Sequence, residues 1–249
     1  MSAGEATEIL AQGDAYLREF EARVVAVDPE ERTVALDRTA FYPGGGGQPA
    51  DRGWLDRQPV TAVRRKGSLV WHALEGTLPP SGTRVEGRLD WERRYRLMRT
   101  HTAFHILCGV VWRDYRAQVT GGNLEPLAGR MDFEFETLRQ ELVREIEERI
   151  NREVAADRPV RVRFLPREEA FRIPDLIRTK INLLPPGIQT VRIVEIEGLD
   201  LQADGGTHVA RTGEVGRIRV SGYKSKGRMN KRIELAIEPA DVPGATRES

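Results

Sequence analysis

The chain has 249 residues, 39% hydrophobic and 31% charged, with a formal net charge of +1 at pH 7. This excludes a disordered chain and a globally basic nucleic-acid binder, and the length predicts two domains. No run approaches the roughly 20 apolar residues of a membrane helix, the N-terminus "MSAGEATEILAQGDAYLREF" is too acidic for a secretory leader, and the single cysteine, Cys108, cannot form a disulfide within the chain; a cytoplasmic protein without membrane association is expected.

The stretch 4–20 predicts a short helix. Alternating segments bounded by Gly, Pro and Asp then predict strands at 22–28, 32–37, 53–56, 59–67, 68–76 and 83–90, the signature of a small antiparallel barrel or sandwich. "TLPPSGT" reads as a tight surface loop within it. From Trp91 to Tyr115 apolar residues recur at helical spacing with no internal proline. A second helix is predicted over 137–157 with Thr137 as its N-cap. Strands follow at 159–166, 191–197, 216–223 and 232–238, so residues 91–249 read as an α+β domain of two helices and a mainly antiparallel sheet.

His101 and His105 stand at i and i+4 on the first long helix and share a face, the arrangement by which two imidazoles grip one ion. The pair alone is equally compatible with a surface cap and a core histidine. A third histidine, His208, follows Asp204 by four residues across Gly205 and Gly206, which let that segment turn sharply. Three imidazoles and a carboxylate complete a tetrahedral set for Zn2+. Cys108 competes for the fourth position, although its neighbours Ile106, Leu107 and Val110 favour a buried thiol. His72 follows the strand pattern and reads as structural.

Four consecutive glycines, Gly44 to Gly47, carry an entropic cost that suggests a backbone approaching a ligand, with Gln48 and Asp51 at its end; a mobile hairpin loop is the plainer alternative. Basic residues gather in "WERRYRLMR" (Arg93, Arg94, Arg96, Arg99) and "YKSKGRMNKR" (Lys224, Lys226, Arg228, Lys231, Arg232). Such clusters are ordinarily solvated faces, and secondarily phosphate-binding ones.

"FYPGGGGQPADRG", "RTHTAFHIL", "ADGGTHVARTGEVG" and "YKSKGRMNKRIELAI", in this order over residues 22–239, resemble the editing half of alanyl-tRNA synthetase and the freestanding alanyl-tRNA editing proteins of the medium-sized AlaX class. The resemblance implies an N-terminal β-barrel subdomain (1–90) carrying the glycine-rich motif and an editing domain (91–249) carrying one zinc ion. No aminoacylation motif is recognised, so action on a tRNA charged by another enzyme is implied. His101, His105 and His208 match the family's zinc-binding histidines. The family's fourth ligand is a cysteine in CxxxH, and here Asp204 occupies that position, implying an oxygen ligand, a three-histidine site, or a preference for a harder metal.

The implied reaction is hydrolysis of the ester on mischarged tRNA(Ala), chiefly Ser-tRNA(Ala) and then Gly-tRNA(Ala), with no obligatory protein partner. Thr207, Gln48 and Thr102 are the expected polar contacts at the reacting end. Gly44 to Gly47, Asp51, Lys224, Lys226, Arg93, Arg94 and Arg99 are expected to contact tRNA or substrate. The alternatives are a metal-dependent hydrolase of another ester and a metal-free RNA-binding protein.

Overall fold

A computed structural model describes residues 6–179 and 187–239. The chain is a mixed α+β protein of few helices and several sheets, forming two compact units that divide after Tyr95.

In the first unit, β1 (Glu8–Ile9) leads into a 3-10 turn at Leu10–Gln12, followed by β2 (Glu19–Asp28), β3 (Thr33–Leu36), β4 (Arg38–Thr39), β5 (Gly53–Leu55), β6 (Gln58–Lys66), β7 (Leu69–Leu74) and β8 (Arg84–Leu89). Six of these strands form a closed ring in the order β2-β3-β7-β6-β5-β8, every pairing antiparallel, with Phe20 opposite Gly87 where β8 returns to β2. Alternation along β8 is complete: Val85, Gly87 and Leu89 are buried and the residues between them exposed. The inward set, including Phe20, Val34, Leu36, Phe41, Leu55, Val70 and Leu89, is the unit's core. The helix expected over 4–20 does not form in the described part, from residue 6 onward. Glu8 and Ile9 pair in parallel with Arg38 and Thr39. Thr7 Oγ1 donates to the Leu36 carbonyl at 2.7 Å and accepts the Val70 N–H at 3.0 Å, so tertiary pairing overrides local helical preference.

The second unit begins within α1 (Trp91–Tyr115) and continues through β9 (Val119–Glu125), β10 (Ala128–Glu134), α2 (Gln140–Ala155), β11 (Val160–Pro166), the single turn α3 (Arg167–Ala170), β12 (Thr190–Ile196), β13 (Asp200–Ala203), a 3-10 turn at Thr212–Val215, β14 (Ile218–Ser225) and β15 (Asn230–Ile237). Two antiparallel sheets result, β14-β15-β10-β9 and β11-β12-β13, where one sheet was expected. The β9–β10 hairpin escaped the sequence pattern because Gly121, Gly122 and Gly129 interrupt its alternation; its register against β15, with Met131 opposite Ile233, supplies the order. Thr137 does not cap α2: Arg139 holds the N-cap position with extended backbone and no side-chain cap bond. Along α1, Leu97, Met98, Ala103, Phe104, Ile106, Leu107, Val110 and Val111 are all essentially inaccessible. A helix buried on several faces presents its histidines to the interior rather than to water.

Candidate metal centre

His101 and His105 project from one face of α1, and Asp204 and His208 come from the segment that leaves β13. The Asp204 N–H donates to the Arg192 carbonyl at 3.1 Å, prolonging the β12–β13 pairing by one residue. Asp204 Oδ2 then accepts the Gly206 N–H at 2.7 Å, an Asx-type turn that folds the loop back and brings His208 to its own carboxylate. His208 Nε2 lies 3.0 Å from Asp204 Oδ2, and His101 Nε2 lies 3.5 Å from Asp204 Oδ1. One donor atom from each of the four residues falls within 4.8 Å of every other. Ligands about 2.0–2.1 Å from a tetrahedral ion are separated by about 3.3 Å, so these spacings fit a single ion.

Neighbouring groups fix which ring nitrogen faces the centre. His105 Nδ1 is 3.0 Å from Asp200 Oδ2, leaving Nε2 for the cluster. His208 Nδ1 lies 3.2 Å from Thr102 Oγ1, which also accepts the Val209 N–H at 3.2 Å. With Nδ1–H donated to this hydroxyl, His208 turns its Nε2 lone pair inward. Arg192, itself buried, donates from Nη1 to the Asp204 carbonyl at 2.9 Å and stands 3.7 Å from its Oδ2.

The electrostatics favour deprotonated ligands. Burial lowers His101 to about 4 against the pull of Asp204, with His105 and Arg192 pushing the same way as burial. Burial also holds His208 well below the ordinary imidazole range, reinforced by His101 and His105. For Asp204, burial favours the acid, but the surrounding imidazoles, His101 first, hold the carboxyl well below its usual range. Burial opposes charge on His105 too, and there the bond to Asp200 prevails and raises its pKa. Neutral His101 and His208 beside an ionised Asp204 are the protonation states that a divalent cation requires, and the proton favoured on His105 is the one a cation must displace.

Cys108 does not belong to the converging group. It is buried on α1, and burial together with the Asp200 carboxylate pushes its thiol well above the ordinary value, which disfavours a thiolate ligand. Thr207 is fully buried beside His208. Two residues of this unit were missed from sequence, Asp200 and Arg192. Asp200, Gln202 and Asp204 alternate in "DLQAD", so strand periodicity places the three polar groups on one face; that signal was available. Arg192 gave none.

The remaining expected residues divide sharply by burial. In the first unit, the Gly45 and Gln48 backbones exchange hydrogen bonds at 3.0 and 2.9 Å around Gly46 and Gly47, whose φ values of +57° and +87° have the signs of a type I′ turn. The four-glycine segment is therefore a tight hairpin tip, with Gln48 buried at its base. Asp51 and Arg94 are not free to meet tRNA: both are buried and form a bidentate ion pair, and Asp51 also accepts the Tyr42 N–H at 2.6 Å. Arg94 further donates to the Ala15 and Ala40 carbonyls at 2.9 and 2.6 Å. Arg93 is half-buried and reaches the Ala50 carbonyl at 3.4 Å. In the second unit Arg99 is buried, donating to the Val215 and Glu238 carbonyls at 2.9 and 2.6 Å, so it too holds the fold rather than phosphate. Lys231 and Arg232 are likewise engaged, with the Gly227 and Arg228 carbonyls and with Asp132. Lys224 and Lys226 are exposed, within 3.4 Å of Glu234 and 3.7 Å of Asp132 respectively.

Residues 191–234 match the family described as threonyl and alanyl tRNA synthetase second additional domain, and residues 5–93 match the class II (A) tRNA synthetase family. The alanyl-tRNA editing protein AlaX-M of Saccharolobus solfataricus is 41% identical over 243 residues, covering 94% of this chain and 100% of that protein. AlaX-M of Methanosarcina acetivorans is 38% identical over 93% of this chain and 99% of its own length. The alanine–tRNA ligase of Pyrobaculum neutrophilum is 40% identical over 86% of this chain, which spans 25% of that longer protein. No helix among the described residues is long and apolar enough to cross a membrane. With identity of this order running the full length of freestanding relatives, the chain belongs to the AlaX-M alanyl-tRNA editing protein family.

Proposed function

We propose that this protein is a trans-editing hydrolase that deacylates mischarged tRNA(Ala) in the cytoplasm, chiefly Ser-tRNA(Ala) and secondarily Gly-tRNA(Ala), with one zinc ion held by His101, His105, Asp204 and His208. The observation that carries it is the convergence of three imidazoles and one carboxylate in a chain whose full-length relatives are named for alanyl-tRNA editing. The ring of strands in the first unit is read as the small β-barrel subdomain of residues 1–90, and residues 91–249 as the editing domain.

An alanine-activating pocket cannot exclude glycine by size, and an apolar pocket rejects an isostere bearing an added hydroxyl by only roughly 10²-fold, so a second hydrolytic sieve is warranted. A zinc ion held by His101, His105, Asp204 and His208 would supply either activation of water or positioning of the aminoacyl ester. The chain's own residues hold the centre in order: Thr102 fixes the His208 ring, and Arg192 offsets the Asp204 charge. Thr207 is assigned a polar contact with the serine side chain, a contact that alanine cannot make, which gives the discrimination its sign. Thr102, with two donors already directed at its oxygen, is assigned to positioning. Gln48 and the Gly44–Gly47 tip are assigned to contact with tRNA or substrate. Lys224 and Lys226, with Arg93, are assigned to tRNA phosphates, where contacts confer salt sensitivity without sequence preference.

Protein purified without chelator is expected to carry near one zinc per chain and to release serine from Ser-tRNA(Ala) while sparing Ala-tRNA(Ala). Asp204→Ala should lose metal, and Cys108→Ser should keep it. Wild type with neither metal nor serine release refutes the reading, and retained RNA affinity in that case identifies a metal-free binder.

A further inference from the structure

One buried carboxylate touches the centre without belonging to its ligand set. Asp200 opens β13 and is 4% exposed. Its Oδ2 lies 3.0 Å from His105 Nδ1 and 2.7 Å from Gln202 Nε2, while Oδ1 faces the Arg178 guanidinium at 3.7 Å. This carboxylate reaches the helix at a glycine. Gly109 stands one turn beyond His105 in the middle of α1, where glycine weakens a helix relative to alanine. A Cβ at Gly109 would meet Leu199 Cγ at 2.9 Å, Asp200 Cβ at 3.0 Å and the Leu199 carbonyl oxygen at 3.1 Å. α1 is therefore notched where the Leu199 side chain, the Leu199 carbonyl and Asp200 Cβ press against it.

We propose that Asp200 is a positioning residue for the metal centre and that Gly109 is the notch that seats it. A neutral imidazole has one N–H and one lone pair, and which nitrogen carries which is set by the partner of the outer nitrogen. Asp200 takes the Nδ1–H of His105, so the Nε2 lone pair is presented to the ion and the ring is held against rotation. Gln202 and Arg178 hold Asp200 in turn, so the carboxylate does not swing away. Removal of an outer partner of this kind lowers metal affinity by about 10–100-fold with the ligands intact.

This inference rests on the proposed function, and the test separates the two. Zinc affinity would be measured by chelator competition on full-length wild type, Asp200→Asn, Asp200→Ala and Gly109→Ala. Helix content and imidazole 15N shifts of the metal-free proteins would be recorded alongside. Asp200→Ala should weaken zinc binding by about 10–100-fold, with Asp200→Asn intermediate because its amide oxygen still accepts from Nδ1. The His105 signals should shift toward a mixture of tautomers while those of His101 stay put. Gly109→Ala should weaken zinc binding despite equal or greater helix content, an effect that helix stability alone predicts with the opposite sign. Where Asp200→Ala does not fold, the zinc affinity of Asp200→Asn decides, an intermediate value supporting the role and a wild-type value overturning it. Wild-type zinc affinity in the folded variants, with an unchanged His105 tautomer, overturns the role of Asp200 and Gly109 alone. Wild type that binds no zinc overturns the metal reading and this inference together.

Discussion

Lowering the pH from 7 to 5 should weaken metal binding far less than three histidines ordinarily imply. An imidazole of pKa about 6.5 is mostly protonated at pH 5, and each of three such ligands would lose about 1.4 logarithmic units of affinity over that interval, about 10⁴-fold in all. Here burial holds His101 at about 4 and His208 well below the ordinary value, so neither has a proton to displace at pH 5. Asp204 lies well below the usual carboxylate range despite its burial, so its charge does not change over this interval. Only His105, raised by its bond to Asp200, takes up a proton that the metal must displace as the pH falls. One displaced proton limits the loss to about 10² over two pH units. Calorimetry in two buffers of differing ionisation enthalpy counts the protons released, and chelator competition at pH 7, 6 and 5 gives the slope. Release of two or three protons at pH 5, or a loss near 10⁴, would refute the assignment of His101 and His208 as imidazoles kept neutral by burial.

The first unit has its own acid sensitivity: burial lowers His72 to about 4, its Nε2 accepting from Thr39 Oγ1 at 2.9 Å. Because the unfolded chain protonates His72 first, stability present above pH 6.5 is lost as pH falls toward 4, by up to about 3 kcal/mol. Urea unfolding of His72→Gln should show a flatter acid limb than wild type; parallel profiles would contradict this. Asp51→Ala should cost about 3–5 kcal/mol by stranding the Arg94 charge in the core, and a double-mutant cycle with Arg94→Met should recover much of it; additive losses would argue against a coupled pair. Charge reversal at Lys224 and Lys226 should weaken tRNA binding and lower the salt slope by about one for each phosphate no longer neutralised, with zinc content unchanged. An unchanged slope removes both lysines from the interface.

The contrast between α1 histidines and α1 arginines shows what local sequence can carry. His101 and His105 were legible because helix geometry alone puts residues four apart on one face, and Asp204 with His208 because a short glycine turn bounds their separation. Arg94 and Arg99, in the same helix, read as a basic surface because the local sequence does not show the partners that bury them. Their partners lie 43, 116 and 139 residues away, in Asp51 and in the Val215 and Glu238 carbonyls. Asp200 lies 95 residues from His105, so its partner was equally hidden, although the alternation in "DLQAD" put it on the same face as Asp204. A charge is readable as solvated only until a long-range partner desolvates it, and burial of an arginine is tolerated only where that partner exists. Sequence thus exposed the ligands, whose spacing is local, and concealed the groups that orient and neutralise them. The basic segments must then be sorted by which cations the fold leaves exposed, and that sorting removes Arg94 and Arg99 from the candidate tRNA contacts and keeps Lys224 and Lys226, on β14 and the turn that follows it.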